Sequence, residues 1–211
     1  MVCLNSQRRK LYHVGIRGRV ARSTLADANE LRDWQLFEAL GHRLIAIAAD
    51  LYRDEDIGLS LKEPLYAIDS TTIDLCLTLF PWADLRSTKA AVKAHTIIDL
   101  RGAIPVFLTI TTDRFDLPAL TIAQIYRNRW QIELFFKWIK QNLSIKHFFG
   151  NSINAVKSQI WIATCVYLLV IIARKQLELP TSPQILLNIF EVNIFEKIPL
   201  DKRRYRRATE Y

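Results

Sequence analysis

Hydrophobic residues recur at helical spacing between residues 31 and 51. Apolar side chains occupy positions three or four residues apart there, which is typical of a helix with one buried face. Thr24 and Asp27 precede this run with the spacing of a capping box at a helix start. The pattern therefore predicts one long helix over about residues 24–53.

The segment that follows carries short apolar and β-branched runs, which indicate strands. The first is an apolar strand over residues 65–72 with Asp69 at its end, and the chain stays extended over residues 73–80. Residues 92–99 alternate as a strand does, and a turn at Arg101-Gly102 leads into the β-branched run 104–111. We predict three strands in a meander.

The second half of the chain shows helical periodicity in three stretches. Pro118 suits the first turn of a helix that reaches about residue 142, because the N–H that proline lacks is unbonded at a helix start. Further helices are predicted over residues 153–178 and about 184–193. The apolar run 160–173 falls short of the roughly 20 residues that span a bilayer. We expect it to lie in a helix that is buried on most sides.

One face of the first of these helices carries an unusual set of polar side chains. At about 100° per residue, an arc of roughly 60° holds Tyr126, Arg129, Glu133 and Lys140, with Lys137 and Trp130 at its border. An adjoining arc holds the predicted buried stripe, which consists of Ile125, Ile132, Phe135, Phe136, Ile139 and Leu143. An ordinary amphipathic helix with solvated charges is the alternative. A lone glutamate among cations and rings suits instead a metal ligand beside a phosphate backbone.

Charge and cysteine content narrow the class of protein. The formal net charge of +8, from 29 Lys and Arg against 21 Asp and Glu, favours polyanionic partners such as nucleic acid. Cys3, Cys76 and Cys165 are far apart in the sequence and predict neither a disulfide framework nor a zinc site, so we expect reduced, buried thiols. No signal peptide opens the chain, and a cytoplasmic protein without a membrane partner is expected.

Asp69 and Glu133 suggest a specific chemistry when they are considered together. Two-metal phosphoryl-transfer sites need carboxylates from separate elements of structure to hold two Mg²⁺ ions about 4 Å apart. A strand-borne aspartate and a helix-borne glutamate fit that requirement. The alternative for Asp69 alone is a turn or cap residue.

Several motifs together resemble the transposases of the insertion-sequence-four family. They are Asp69-Ser-Thr-Thr, Phe80-Pro-Trp82, Lys93-x-His95-Thr, Asp99-Leu-Arg-Gly102, Tyr126-x2-Arg129-x3-Glu133-x6-Lys140 and Asn154-Ala-Val-Lys-Ser-Gln-Ile-Trp161. The resemblance covers about residues 10–178. It implies an α/β fold with an RNase H-like core, in which DDE chemistry with Mg²⁺ or Mn²⁺ cleaves DNA at transposon ends and joins the ends to target DNA.

The same resemblance assigns roles to individual residues. Asp69 matches the first acid of the catalytic triad and Glu133 the last, so both are expected as catalytic residues and metal ligands. Tyr126, Arg129 and Lys140 are expected to grip the phosphates of the terminal DNA, with Lys137 and Trp130 beside them. The expected partners are the terminal inverted repeats, target DNA and further copies of the chain or an intact transposase. Lys93, His95 and Arg101 are weaker candidates, and exposed strand and turn positions explain them as well.

The chain departs from the family pattern at the second catalytic aspartate. That residue is expected on a fourth strand ahead of the glutamate helix, but residues 110–118 leave too little room for a strand and an insertion. Asp99, Asp113 and Asp116 are poorly placed substitutes. We therefore expect a truncated, internally deleted transposase that is catalytically impaired. The alternative is a non-catalytic DNA-binding fragment that inhibits or joins full-length transposase, whereas an unrelated basic structural protein would require all the motifs to be accidental.

Three regions are predicted along the chain. Residues 1–62 form a helical N-terminal segment, and residues 63–179 form a partial RNase H-like core with the three-strand meander, the glutamate helix and C-terminal helices. Residues 180–211 form a short helix and a basic tail.

Overall fold

The computed structural model describes residues 11–12, 15–55, 65–86, 89–111, 129–142 and 148–193. This part of the chain is a mixed α/β structure. Its helices are α1 (Arg22–Leu31), α2 (Gln35–Leu51), α3 (Arg129–Asn142), α4 (Ile153–Gln176) and α5 (Pro183–Asn193). Its strands are β1 (Tyr66–Leu75), β2 (Asp84–Arg86), β3 (Lys89–Asp99) and β4 (Ile104–Thr111). A helical segment on each side of a strand meander agrees with the predicted α/β class.

The sheet is antiparallel and centred on β3. Strand β1 pairs along one edge of β3, and β2 and β4 pair with successive parts of the other edge. The predicted meander of β1, β3 and β4 is thus confirmed, with the short β2 added. The extended run predicted over residues 73–80 is wrong beyond Leu75. The backbone N–H groups of Leu79 and Phe80 both donate to the carbonyl of Cys76, so the chain turns there.

The predicted single N-terminal helix is two helices. Residues 32–34 separate α1 from α2, and the predicted capping box is wrong, since α1 begins at Arg22 without a side-chain cap. The side chain of Asn154, at the start of α4, stabilises the non-helical backbone between α1 and α2. Its amide donates to the carbonyls of Asn29 and Arg32 at 2.8 and 2.6 Å, and its carbonyl oxygen accepts the N–H of Trp34 at 3.2 Å. A side chain distant in sequence therefore satisfies the backbone groups that a continuous helix would bond internally.

Helix α4 is the central element of the core. Ser152 caps its start by accepting a hydrogen bond from the N–H of Ala155, which satisfies one of the N–H groups that a helix start leaves unbonded. The helix is long and apolar enough to cross a membrane, and 78% of its most apolar window is buried inside the protein. The prediction of a helix buried on most sides is confirmed.

Helices α2, α3 and α4 share one hydrophobic core with the sheet. Leu44, Ile45 and Ala48 are the apolar residues that α2 buries, whereas Leu36 and Ile47 are exposed. Both exposed residues belong to the apolar run 31–51, so the prediction that this run forms one buried face is wrong for them. The helix presents a narrower face to the core than its apolar content suggests.

The cysteines differ from one another. Cys165 is buried, its thiol donates to the carbonyl of Phe37 at 3.3 Å, and burial raises the pKa of the thiol to about 11. Cys76 is free and exposed, so the prediction of a buried thiol is wrong there. Cys3 lies outside the described residues.

Candidate active site

Asp69 lies inside β1, and not at its end as predicted, because the strand continues to Leu75. It stands opposite Thr96 of β3 in the antiparallel register. Its side chain shares a face of the sheet with Ala67 and Ile73, since alternate strand residues point to the same side. Those two neighbours are buried, whereas Asp69 is half-buried. The carboxylate therefore stands in an apolar row of the sheet but keeps some contact with solvent.

Helix α3 packs against the strand that carries Asp69. The stripe predicted to be buried is confirmed where the structure describes it, since Ile132, Phe135, Phe136 and Ile139 are all core residues. Phe135 also contacts the ring of Tyr167 on α4, with 5.1 Å between ring centroids. The apolar face thus fixes the rotation of the helix about its axis. The polar face is turned away from the core as a consequence.

Glu133, Lys137 and Lys140 all have exposed side chains on this polar face. Lys137 and Lys140 make no ion pair or hydrogen bond within the part of the chain that the structure describes. Arg129 and Trp130 lie in the first turn of α3, but their side chains fall outside the described set. Tyr126 is also outside the described residues, as are Asp113 and Asp116. The structure brings together the two elements that carry the predicted acids, with two lysines beside the glutamate.

Sequence analysis missed Trp138, which extends the buried face of α3 toward α4. Its side chain is only 7% exposed, and its ring lies 5.1 Å from that of Tyr167. The signal was present, because Trp138 lies three residues after Phe135, at helical spacing, on the edge of the apolar arc. Together with Phe135 it makes Tyr167 an aromatic anchor for the helix.

The metal-binding expectation is met only in part. Asp69 and Glu133 are carboxylates, which Mg²⁺ and Mn²⁺ prefer as ligands. Among residues 11–193, excepting the undescribed gaps, no three His, Cys, Asp or Glu side chains are clustered so that they could hold a metal ion. The described residues therefore do not supply a complete ligand set for a divalent metal.

Asp99, one of the possible substitutes for the missing acid, is committed to a structural role. It ends β3, its side chain is 2% exposed, and Arg101 clamps it through Nε–Oδ1 and Nη2–Oδ2 hydrogen bonds of 3.0 and 2.5 Å. Its Oδ1 also accepts the backbone N–H of Arg101 at 3.0 Å. The turn explanation for Asp99 is confirmed. The guanidinium of Arg101 is therefore held in this ion pair, and its pKa is raised chiefly by the hydrogen bond to Asp99.

His95 is buried in the middle of β3, at 5% exposure, and Lys93 beside it is half-buried. The interpretation of His95 as an exposed strand residue is therefore wrong. Burial lowers the pKa of the imidazole below its usual 6.5, and the nearby positive charge of Lys93 lowers it further. Neutral imidazole is the form that this position favours near pH 7.

The depressed pKa of His95 predicts an acid-dependent loss of stability. Because the unfolded chain binds the proton more readily, this contribution is fully present above pH 6.5 and is lost as pH falls through the lower folded-state pKa. We expect the free energy of unfolding, measured with urea between pH 7 and pH 5, to fall less steeply in His95→Asn than in the parent protein. His42→Asn, which changes an exposed histidine, should keep the parental slope. Equal slopes for all three proteins would contradict the assignment.

Comparisons with known proteins agree with this architecture. The transposase DDE domain family matches residues 106–169, a stretch from β4 to within α4 that includes Glu133 and not Asp69. A protein of Sinorhizobium fredii described as a transposase is 47% identical over 123 residues, which are 58% of this chain and 32% of that protein.

Two further relatives are named for insertion sequences. A Geobacillus stearothermophilus protein, described as a transposase for insertion sequence element IS5377, is 32% identical over 54% of this chain and 30% of its own length. A Synechocystis protein, described as a transposase for element IS4SA, is 40% identical over 48 residues, or 23% of this chain and 14% of that protein. The aligned region spans about a third of the first two relatives, and no solved structure matches significantly. With a match to the transposase DDE domain that spans the glutamate helix, and with proteins described as transposases among its relatives, the chain is similar to the DDE transposase family.

Proposed function

We propose that the chain acts in DNA transposition as part of an insertion-sequence transposase and binds transposon ends through the polar face of α3. The observation that carries the proposal is that Glu133, Lys137 and Lys140 are exposed together on a helix that packs against the strand of Asp69. Lys137 and Lys140, which make no ion pair among the described residues, suit phosphate oxygens, whose neutralisation supplies most of the affinity of proteins for DNA. We also propose that the chain has an RNase H-like topology and belongs to the insertion-sequence-four family.

Within this proposal, Asp69 and Glu133 are the first and last acids of the triad. Phosphoryl transfer depends on positioning and on neutralisation of charge by bound metal, and among the described residues no third ligand side chain is clustered with these two carboxylates. We therefore propose that the chain binds DNA without cleaving it on its own. Mg²⁺ or Mn²⁺ is the metal that the family resemblance implies, and Asp69 and Glu133 are the residues that would hold it.

A second candidate function follows from the same incomplete ligand set. A chain that keeps the DNA-binding face but lacks a full triad would act as a non-catalytic DNA-binding subunit. It would bind terminal repeats and target DNA in the cytoplasm and join further copies of itself or an intact transposase. The incomplete set of acids in the described region favours this candidate over an active nuclease.

Binding to a duplex that carries the inverted repeats flanking the gene tests the proposal. We expect binding that weakens steeply with salt, and we expect Lys140→Ala to reduce the slope of log K against log salt by about 0.9, the effect of one lost phosphate contact. Arg43→Ala removes an exposed cation on α2 and should leave the slope unchanged. Fluorescence anisotropy between 50 and 300 mM KCl measures each slope. Salt-independent binding, or equal slopes for all three proteins, would exclude this face as the DNA site.

Cleavage is tested on the same duplex with Mg²⁺ or Mn²⁺. We expect no nicked product. Nicking that disappears in both Asp69→Ala and Glu133→Ala would overturn the proposal of inactivity and establish an active transposase. Nicking that persists in both variants would show a contaminating nuclease and leave the binding result to decide between the two candidates.

A further inference from the structure

A cavity of about 830 Å³ opens beside α3, on the side next to the face that carries Glu133. Its walls come from α3, α4, the β3–β4 turn and the residues just before and at the start of α5. Trp138 and Leu134 contribute an apolar wall from α3, and Tyr167 contributes one from α4. Asp69, Glu133 and Lys140 do not line it, whereas Lys137 of the same helix face does.

Positive charge exceeds negative charge around this cavity. Its lining holds four cations, from Arg and Lys side chains, and two acids, Glu55 and Glu178. Two of the cations are already paired, since Arg101 binds Asp99 and Lys175 binds Glu55. Within each pair the opposite charges cancel locally, so Arg101 and Lys175 are poor binding partners for a further anion.

The other two cations, Lys137 and Arg174, are available. Neither makes an ion pair or a hydrogen bond with the part of the chain that the structure describes. The Nε of Arg174 is moreover buried and has no hydrogen-bond partner. A buried N–H of a charged group costs free energy when it has no hydrogen-bond acceptor. A bound anion at this position would remove that cost.

Among the described residues, no oxygen accepts a hydrogen bond from the Nε of Arg174. Its positive charge acts on the hydroxyls of Tyr52 and Tyr167, where it opposes the rise in pKa that burial causes. Those hydroxyls donate to the backbone carbonyls of Ile171 and Ala103 at 3.0 and 2.9 Å. A charged guanidinium therefore lines the cavity together with two tyrosines whose own hydroxyl hydrogen bonds are already made.

We propose that this cavity binds a phosphate monoester, with the phosphate held by Arg174 and Lys137 and an apolar or aromatic substituent packed against Trp138 and Leu134. A phosphate monoester carries nearly two negative charges at pH 7, which matches the two positive charges of Arg174 and Lys137 better than a carboxylate does. The planar fork of arginine binds phosphate through two hydrogen bonds, and lysine adds a point charge. This inference shares Lys137 with the proposed DNA-binding face, whereas Arg174 lies on α4, outside that face.

Phenyl phosphate is the probe that tests both halves of the proposal. We expect isothermal titration calorimetry of the full chain at pH 8 to show binding about tenfold tighter for phenyl phosphate than for inorganic phosphate, because the ring buries apolar surface. Arg174→Gln and Lys137→Gln should each weaken phenyl phosphate binding by about tenfold or more, the loss of one charge-assisted contact. Lys137 is exposed, so its variant should fold even if Arg174→Gln does not. Arg43→Gln on α2 is the control and should bind as the parent does.

Competition experiments identify where such a monoester comes from. A short duplex with a 5′-phosphate that displaces phenyl phosphate, when the same duplex with a 5′-hydroxyl does not, would assign the cavity to a DNA end. Failure of both duplexes to compete would assign it to a small phosphorylated molecule. Equal competition by both duplexes, binding of phenyl phosphate that survives Arg174→Gln and Lys137→Gln, or no binding at all would overturn the proposal.

Discussion

Replacing Arg101 by alanine is expected to lower the free energy of unfolding by about 3 kcal/mol, near the lower limit for removing one partner of a buried ion pair. Asp99 is 2% exposed and receives three hydrogen bonds from Arg101 that are 3.0 Å or shorter. Without the guanidinium, the carboxylate would stay buried and lack its counter-charge. Arg101 itself is one-fifth exposed, which keeps the expected loss from being larger. Urea denaturation at pH 7 measures it.

The chain contains a matched exposed pair that serves as a control. Arg53 and Asp50 also form an ion pair, but their side chains are 67% and 68% exposed, so Arg53→Ala should cost less than about 1 kcal/mol. In an Asp99→Asn background the cost of Arg101→Ala should fall as well, because no buried charge is left uncompensated. Similar losses for Arg53→Ala and Arg101→Ala in the parent background would contradict the assigned role.

Replacing Trp161 by alanine is expected to cost about 3–5 kcal/mol, as for other large aromatic residues removed from a core. Trp161 is 1% exposed on α4 and contacts α2, where its ring lies beside Gly41 and 5.5 Å from the ring of His42. The indole therefore fills the contact between the two helices. Thermal and urea unfolding of the variant measure the loss.

Gly41 gives this prediction an internal test. A Cβ at position 41 would lie 2.7 Å from Cζ3 and 2.8 Å from Cε3 of Trp161, so Gly41→Ala should destabilise the parent protein by about 1–3 kcal/mol through overpacking. In the Trp161→Ala background the same change should instead stabilise the protein, because the clash is gone and a glycine inside a helix costs about 0.5–1 kcal/mol relative to alanine. A double-mutant cycle measures both values. The same sign in both backgrounds would refute the close contact.

Local periodicity predicted much of the fold correctly. The buried α4, the short α5 and the strand meander all depend on the spacing of apolar residues within one element, and that spacing is visible in the sequence. The same holds for α3, where Ile132 and Phe136 are buried and Glu133 and Lys140 are exposed. The spacing of residues on one helix also predicted which side chains of the candidate site would share a face.

The wrong predictions for the N-terminal helix and for His95 have a common cause, which is contact between segments distant in the sequence. The break between α1 and α2 depends on Asn154, more than 100 positions away in the chain. The burial of His95 follows from its place in the central strand of the sheet, and a β-branched or histidine side chain looks the same in sequence whether a strand is central or at an edge. Such features require contacts between distant segments, which no local pattern encodes.

Residue order alone carries the transposase resemblance, through its separate short motifs, and residue spacing along one helix is sufficient to predict the face that presents Glu133 beside lysines. Tertiary contacts alone place α3 on the strand of Asp69, bury His95 in the central strand, and leave Arg174 beside a cavity with its Nε unbonded among the described residues. Each of these depends on which distant side chains meet when the apolar faces of helices and sheet are buried together, and burial is also what gives an isolated charge its large energetic effect.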